Sequence, residues 1–307
     1  MSLLRIDNRA LEIRLAESAP RSLRHFVARL TREPHTTTLA TQVMHVRGGQ
    51  RTRLTVNPRA GEVLLELAAS ASDGQTTLEI GTLQAAARSM AAMSGGKLAL
   101  LHGSAVTMDG GRSAIAVLDG GRGQGKTSLA LGIAARGGSL IVDEFAFTVF
   151  RSGQPCVVPM PTLPWHVRAD MAPLLVPGAT TRLLYPGDLP AAAVDESRPV
   201  PLSLIVIPDH GLRAGELCEP AGLAGRDLLR AAVTDHEAKL RDPMLDHVSI
   251  FSSPDDVSIR GRLDGASRDE ETLDVLAAVP IICLGIGRPH ELPASVASAI
   301  RRIAKAG

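Results

Sequence analysis

The chain has 307 residues, of which 45% are hydrophobic, 21% are charged and 2% are aromatic. Basic and acidic residues number 33 and 32, so the formal net charge is +1 and the composition indicates no strong field for binding a polyanion. Five Phe, one Trp and one Tyr are too few for the stacked rings that bind single-stranded nucleic acid, so we expect no nucleic-acid partner. The length favours two domains, because single hydrophobic cores stop growing at about 250 to 300 residues.

The cysteines and the apolar segments exclude further classes of protein. Cys156, Cys218 and Cys283 are far apart in the sequence and indicate neither a disulfide framework nor a CxxC metal site. Residues 1–14 carry charges throughout and lack the apolar core of a signal peptide. The most apolar stretch, residues 277–287, contains a proline and is shorter than the roughly 20 residues that a membrane span needs. We therefore expect a cytoplasmic protein without a membrane partner.

The first third of the chain is predicted to be mainly strand, with two helices. Residues 11–15 alternate between apolar and charged side chains, as in a half-buried strand. The other predicted elements are a helix over residues 18–33, strands over 36–46 and 51–56 joined by a hairpin turn at 47–50, a second turn at 57–61, a strand over 63–67 and a helix over 82–93. Ser94-Gly95-Gly96 then indicates a domain boundary near residue 95.

Residues 96–307 alternate between predicted strands and helices. The strands are expected over residues 98–108, 113–118, 139–142, 202–207 and 281–285, and the helices over 126–136, 223–240, 269–278 and 293–305. Residues 154–201 are rich in proline and less regular. The expected architecture is a smaller, mainly β N-terminal α+β domain of unknown role over residues 1–95, followed by an α/β domain with a mixed sheet over residues 96–307.

A glycine-rich segment after the strand at 114–118 matches the phosphate-binding pattern GxxxxGK[ST] at every fixed position. Its glycines allow backbone N–H groups to turn toward a phosphate, and the N-terminus of the following helix adds partial positive charge. The alternative is a strand-to-helix turn that binds nothing. We expect the nucleotide phosphates to be bound by Gly120, Gly121, Arg122, Gly123, Gln124, Gly125, Lys126, Thr127 and Ser128, with Lys126 at the β- and γ-phosphates and the Thr127 hydroxyl on Mg²⁺.

Asp143 and Glu144 end the next predicted strand, and the carboxyl ends of strands line the ligand crevice of α/β proteins. Their carboxylates can hold Mg²⁺ or accept a proton from an attacking hydroxyl, whereas the alternative is a solvated strand end. Neighbouring residues of an extended strand point to opposite faces, so both reach one metal only if the strand has already ended. His102 lies beside Gly103 on the preceding strand and is a candidate for the same site or a structural histidine. His166, His236 and His247 stay unassigned.

Three segments together resemble the catalytic domain of the HPr kinase/phosphorylase family: LHGSAV at 101–106, SAIAVLDGGRGQGKTSLALGIAARGG at 113–138 and SLIVDEF at 139–145. The resemblance is strong over residues 98–148, weaker in the closing strand and helix, and not visible in residues 1–80. It implies a P-loop kinase fold, related to that of ATP-dependent phosphoenolpyruvate carboxykinase, with ATP and Mg²⁺ as cofactors.

The resemblance also implies roles for individual residues. Asp143 matches the catalytic aspartate that takes the proton of the substrate hydroxyl, and His102 matches a histidine near the transferred phosphate. Glu144 stands where the family usually has a second aspartate that binds the metal together with Thr127. Lys126 completes the catalytic set. The longer family sequence that supports the reverse, dephosphorylating reaction is not recognisable, which argues against phosphorylase activity.

The expected function is an ATP-dependent kinase that phosphorylates a serine-type hydroxyl of a peptide or small-metabolite acceptor, as in natural-product biosynthesis. The alternatives are a serine kinase for a carrier or regulatory protein, a nucleotide-dependent switch or ATPase with water as acceptor, and a scaffold without chemistry. The chain has no NKxD or LSGGQ motif, which argues against a switch, and its intact loop argues against a scaffold.

Two regions keep open roles. The N-terminal domain could recognise the acceptor, mediate homo-oligomer formation or cover the active site. Residues 155–186, which include Trp165, His166 and Arg168, are expected either to line the acceptor cleft or to form a long surface loop.

Overall fold

The computed structural model describes residues 2–6, 9–30, 40–68, 74–118, 125–167, 171, 183–189, 191–194, 198–220, 223–246, 249–260 and 266–306. The strands there are β1 (Ser2–Ile6), β2 (Arg9–Leu15), β3 (Ala40–Gly49), β4 (Arg53–Asn57), β5 (Glu62–Ala68), β6 (Ala99–Thr107), β7 (Ala114–Leu118), β8 (Ser139–Val142), β9 (Phe145–Arg151), β10 (Gln154–Val157), β11 (Trp165–His166), β12 (Leu183–Leu184), β13 (Val200–Asp209), β14 (Leu217–Cys218), β15 (Val257–Ile259) and β16 (Ile281–Gly285). The α-helices are α1 (Arg21–Leu30), α2 (Gln75–Met93), α3 (Lys126–Ala134), α4 (Leu223–Arg241), α5 (Ala266–Ala277) and α6 (Leu292–Ala306).

The chain forms two compact units. The first comprises Met1–Leu98 and Asp235–Ala266, and the second comprises Ala99–Thr234 and Ser267–Gly307. Each contains a sheet with both parallel and antiparallel strand pairs, together with helices, so the fold class is α/β with mixed sheets, as expected. The predicted boundary near residue 95 lies close to Leu98, where the first segment of this unit ends. That boundary places residues 235–266 in the second domain, whereas in the structure they belong to the first unit.

The first unit is built on a six-stranded sheet in the order β1-β2-β3-β5-β4-β15. Strands β4 and β5 alternate between buried and less buried residues, as the two-residue period of a strand requires. The predicted hairpin at residues 47–50 is wrong, because β5 lies between β3 and β4 and pairs in parallel with β3. The turn at 57–61 makes the antiparallel hairpin instead, joining β4 to β5.

The first unit also buries charged side chains around α2. This helix starts at Gln75, before the predicted start at residue 82, and most of its length is buried. Its Arg88 forms an ion pair with Asp246 and donates through Nε to Nδ1 of His236 at 3.3 Å. All three side chains are buried, so His236 has a packing role in the first unit.

The second unit is built on an eight-stranded sheet in the order β10-β9-β6-β7-β13-β16-β14, with β8 also paired to β6. Strands β7, β13 and β16 are parallel, whereas β6 runs antiparallel to β7. The predicted strands at 98–108, 113–118 and 139–142 correspond to β6, β7 and β8. Strands β9 and β10 were not among the predicted elements; β9 pairs antiparallel with β6, and β10 pairs antiparallel with both β9 and the start of β13.

Helices α3 and α6 pack on one face of this sheet, where apolar side chains from β7, β13 and β16 form the core. Strand β7 points into the glycine-rich segment, and α3 leaves that segment at Lys126. Residues 119–124 lie outside the described residues. No helix in the described part of the chain is long and apolar enough to cross a membrane.

Candidate active site

The acidic pair lies in a tight turn between β8 and β9. Glu144 has a φ of 66°, and the N–H of Phe145 donates to the carbonyl oxygen of Asp143 at 2.7 Å. A hydrogen bond between residues two apart around a residue with positive φ defines a γ-turn, which is strained for a residue other than glycine. The strand therefore ends before the acidic pair, which satisfies the condition for both carboxylates to reach one site.

Strand β6 supplies the residues opposite this turn. His102 pairs with Phe145 on β9, and Ala105 pairs with Val142 on β8, so Gly103 and Ser104 face the two acidic residues. His102 and Ser104 are two residues apart on one strand and therefore share a face. Ser104 was not among the predicted site residues, although the two-residue period of the strand that carries His102 would have indicated it.

Gly103 lets β6 approach β7 closely. A Cβ atom at this position would lie 2.5 Å from the carbonyl oxygen of Val117 on β7, a separation that real Cβ atoms essentially never show. Only glycine therefore fits here without a shift of the backbone, and it sets the position of the two neighbouring side chains on β6.

Three donors hold the carboxylate of Asp143. The hydroxyls of Ser104 and Thr127 donate to Oδ1 at 2.5 and 3.0 Å, and the backbone N–H of His166 donates to Oδ2 at 2.8 Å. The residue is only 1% exposed. Burial and the charge of Glu144 outweigh these hydrogen bonds and raise the pKa of Asp143 to about 6. A buried carboxyl with a pKa near neutrality is suited to accept a proton from a substrate.

The pKa of Glu144 is shifted in the opposite direction to that of Asp143. Burial alone would raise its pKa, but the adjacent His102, followed by Lys126 and His166, holds the pKa of Glu144 well below its ordinary value. Nε2 of His102 lies 3.7 Å from Oε1 of Glu144, which is an ion-pair distance. The pKa of Asp143 is therefore raised and that of the adjacent Glu144 is lowered. Such a difference suits Asp143 to proton transfer and Glu144 to binding a positive charge.

Helix α3 brings the end of the phosphate-binding motif to the acidic pair. Gly125 caps the helix in the left-handed conformation, with a φ of 80°, which a residue with a side chain rarely adopts. Lys126 is the first helical residue, Thr127 contacts Asp143, and Ser128 is buried in the first turn. The helix N-terminus thus faces the same site as the acidic residues and brings backbone N–H groups and partial positive charge to it.

The predicted residues come together only in part within the described chain. Thr127, Asp143, Glu144 and His102 form one connected cluster, and the charge of Lys126 acts on Glu144. The predicted phosphate-binding residues that lie outside the described residues are Gly120, Gly121, Arg122, Gly123 and Gln124.

The proline-rich segment contributes a group that the sequence analysis left unassigned. Strand β11 pairs with β12 and places the backbone N–H of His166 against Asp143. Trp165 beside it is fully buried in the core of the second unit, so this part of the segment is not a surface loop. Arg168 lies outside the described residues. No local pattern indicates which backbone amide meets a distant carboxylate, because that contact depends on the tertiary fold.

The oxygen donors of the site fit Mg²⁺ in their chemistry. Two carboxylates and one hydroxyl, from Asp143, Glu144 and Thr127, are hard ligands, and Mg²⁺ in phosphate-binding sites typically uses one or two carboxylates and keeps several waters. Among the described residues no group of three or more His, Cys, Asp or Glu side chains is arranged to hold a metal by itself.

Comparisons with known proteins add no family to this description. A scan against models of protein families gives no match, and a search of curated proteins gives none either. The resemblance to the HPr kinase/phosphorylase family thus rests on the segments at 101–106, 113–138 and 139–145 alone.

Proposed function

We propose that the protein is an ATP-dependent kinase that transfers the γ-phosphate of ATP to a hydroxyl of a peptide or small-metabolite acceptor. The observation that carries the proposal is the contact between Thr127 of the phosphate-binding motif and Asp143, a buried carboxyl whose pKa is raised to about 6. A proton acceptor is thereby held directly beside the N-terminus of the helix at which the motif predicts the phosphates.

The phosphates would be bound at the N-terminus of α3, with the ammonium group of Lys126 against the β- and γ-phosphates. Thr127 and Glu144 are the residues that would hold Mg²⁺, which supplies charge neutralisation on the phosphate oxygens when bound. The low pKa of Glu144 keeps this carboxylate ionised across the physiological range. His102 lies beside Glu144 and would contribute positive charge or a hydrogen bond close to the transferred phosphoryl group.

Asp143 would act as the general base. As the acceptor oxygen forms its bond to the γ-phosphorus, the acceptor proton moves to Asp143, and the bond between the γ-phosphorus and the bridging oxygen breaks to release ADP. The hydrogen bonds from Ser104, Thr127 and the amide of His166 fix the direction of the carboxylate before the acceptor arrives. Catalysis would depend mainly on positioning and on electrostatic stabilisation, as in other phosphoryl transfers.

The proposal is tested by incubating the full chain with γ-labelled ATP, Mg²⁺ and a panel of acceptors. The panel contains free serine, serine-containing peptides, the peptides encoded by neighbouring genes and a carrier protein with an accessible serine, with products identified by mass spectrometry. The Asp143→Asn variant is compared with Asp227→Asn, which makes the same change at a carboxylate whose side chain is 71% exposed on α4. We expect Asp143→Asn to lower turnover by about 100-fold or more while Mg-ATP binding is retained.

Each alternative outcome identifies a different error. Turnover of Asp143→Asn at the wild-type rate would exclude Asp143 as the base. Release of phosphate to water that no acceptor changes would favour an ATPase or a switch. Failure of the wild-type chain to bind Mg-ATP in calorimetry would exclude a nucleotide site. Phosphorylation of a carrier protein but of no peptide or metabolite would favour the protein serine kinase.

A further inference from the structure

Two of the three cysteines lie opposite each other at the edge of the second unit's sheet. Strand β14 forms this edge and pairs antiparallel with β16, with Cys218 directly across from Cys283 and Leu217 across from Leu284. Directly opposed residues of an antiparallel pair have Cα atoms about 4.5 to 5.5 Å apart and side chains on the same face. The sequence spacing gave no indication of this pairing.

This geometry is compatible with a disulfide. Disulfide-linked residues have Cα atoms about 4.4 to 6.8 Å apart, a range that includes the separation of directly opposed residues in an antiparallel pair. Both Cys218 and Cys283 are free thiols in the structure.

The third cysteine cannot join this pair. Cys156 on β10 is opposite Pro201 near the start of β13, whereas Cys283 is opposite Ile207 near the end of β13. Six residues of a strand span about 20 Å. Cys156 is also buried, so it serves as an internal control for thiol reactivity in the same molecule.

The two paired thiols differ in accessibility. Cys218 is exposed and Cys283 is half-buried. Burial, together with the nearby Asp209 and Cys218, raises the pKa of the Cys283 thiol. An oxidant in solution therefore reaches Cys218 first, and Cys283 is placed to react second.

We propose that Cys218 and Cys283 are a redox-active thiol pair that closes into a disulfide between β14 and β16 when the protein meets a small disulfide oxidant such as glutathione disulfide. The Cys218 thiolate attacks a sulfur of the oxidant, forms a mixed disulfide and releases one glutathione thiolate. The Cys283 thiolate then attacks Sγ of Cys218, forms the intramolecular bond and releases the second glutathione.

The reaction is balanced by the oxidant alone. Two protein thiols are oxidised, one glutathione disulfide is reduced to two glutathione molecules, and these take up the two thiol protons. The bond lies at an exposed sheet edge, where free thiols in solution can reach it. Exposed disulfides are the more easily reduced ones, so the pair acts as a reversible modification site.

The inference is tested on the folded full chain by treatment with glutathione disulfide, rapid alkylation of the remaining thiols, digestion without reduction and mass spectrometry. We expect a peptide pair linked between Cys218 and Cys283, an alkylated Cys156, and loss of the link after dithiothreitol. Cys283→Ala should instead retain glutathione on Cys218, and Cys218→Ser should give no link. The urea-unfolded chain, treated in the same way, should give links involving all three cysteines.

Two results would overturn the proposal. One is a stable glutathione adduct on Cys218 of the wild-type chain at the level seen in Cys283→Ala, with Cys283 still open to alkylation. The other is a folded chain whose mixture of links equals that of the unfolded chain, because the native pairing would then have no influence on the reaction. Neither result depends on kinase activity.

Discussion

Removal of the Ser104 hydroxyl should raise the pKa of Asp143 further and move the pH dependence of the enzyme. In the Ser104→Ala variant the Asp143 carboxylate loses the donor that lies 2.5 Å from Oδ1, while Thr127 and the amide of His166 remain. A hydrogen bond to a charged group contributes about 1.5 to 3 kcal/mol, and each pKa unit corresponds to about 1.4 kcal/mol. The pKa of Asp143 should therefore rise from about 6 to between about 7 and 8.

The direct assay is the pH profile of kcat/KM, which reports the ionisation of the free enzyme. We expect the acid limb of the Ser104→Ala profile to move up by about one to two pH units, with activity approaching the wild-type value at high pH. A matched control is Ser113→Ala, which removes another hydroxyl donor to a carboxylate. Ser113 donates to Oδ2 of Asp109 at 2.7 Å in an exposed turn, and the profile should not change.

The raised pKa of Asp143 also makes the free energy of unfolding depend on pH. The pKa of folded Asp143 is above its usual value of 3.8, so the folded chain binds more protons than the unfolded chain and loses stability as pH rises from about 4 to 6. In Ser104→Ala this loss should continue to about pH 8, so the variant should be less stable than wild type by about 1.5 to 3 kcal/mol at pH 8 and nearly equal at pH 5. Thermal denaturation at both pH values measures the difference. Coincident acid limbs together with an equal stability difference at both pH values would refute the assigned role of Ser104.

Three further predictions concern other parts of the molecule. Glu144→Gln removes the charge that, together with burial, raises the pKa of Asp143. The acid limb of kcat/KM, measured on the residual activity of this variant, should move down by about one pH unit, whereas it should not move if burial acts alone. Gly103→Ala forces a Cβ atom against a backbone carbonyl and should lower stability by about 1 to 3 kcal/mol in chemical denaturation, whereas Gly187→Ala, with no atom within 4 Å of the added Cβ, should have little effect. Arg88→Met removes the ion-pair partner of the buried Asp246 carboxylate and should destabilise the protein by about 3 to 5 kcal/mol, and Asp246→Leu added to it should recover much of this loss in thermal unfolding.

Local patterns were sufficient to predict the elements that carry the phosphate-binding motif. Strand β7, the turn at Gly125 and the start of α3 at Lys126 follow from an apolar run, from glycine and from the helical period, all within about 20 residues of sequence. The candidate roles of Asp143 and His102 came from the resemblance, and the structure brings both into one cluster with Glu144.

Contacts between distant parts of the chain were not predictable in this way. Strand β5 lies between β3 and β4 because it pairs with the edge of β3 that β4 would otherwise occupy. The alternation of apolar and polar residues along a strand shows which face is buried but not which strand pairs with which edge. Strand β15, from the segment 235–266, pairs in parallel with β4 although about 200 residues separate them in sequence. The backbone amide of His166 reaches Asp143 for the same reason, since every residue except proline has such a donor.

The γ-turn at Glu144 restricts which residues can replace it. A φ of 66° is tolerated best by glycine, asparagine and aspartate and least by β-branched residues. The backbone conformation therefore restricts which residues can occupy position 144, independently of any requirement for a carboxylate. Among acidic residues aspartate fits this conformation more easily than glutamate does. The presence of glutamate therefore indicates that the longer reach of its carboxylate toward His102 is retained in spite of the conformational strain. In a saturation library screened for folding alone, glycine, asparagine and aspartate should be enriched at position 144, whereas selection for phosphoryl transfer should retain only the acids.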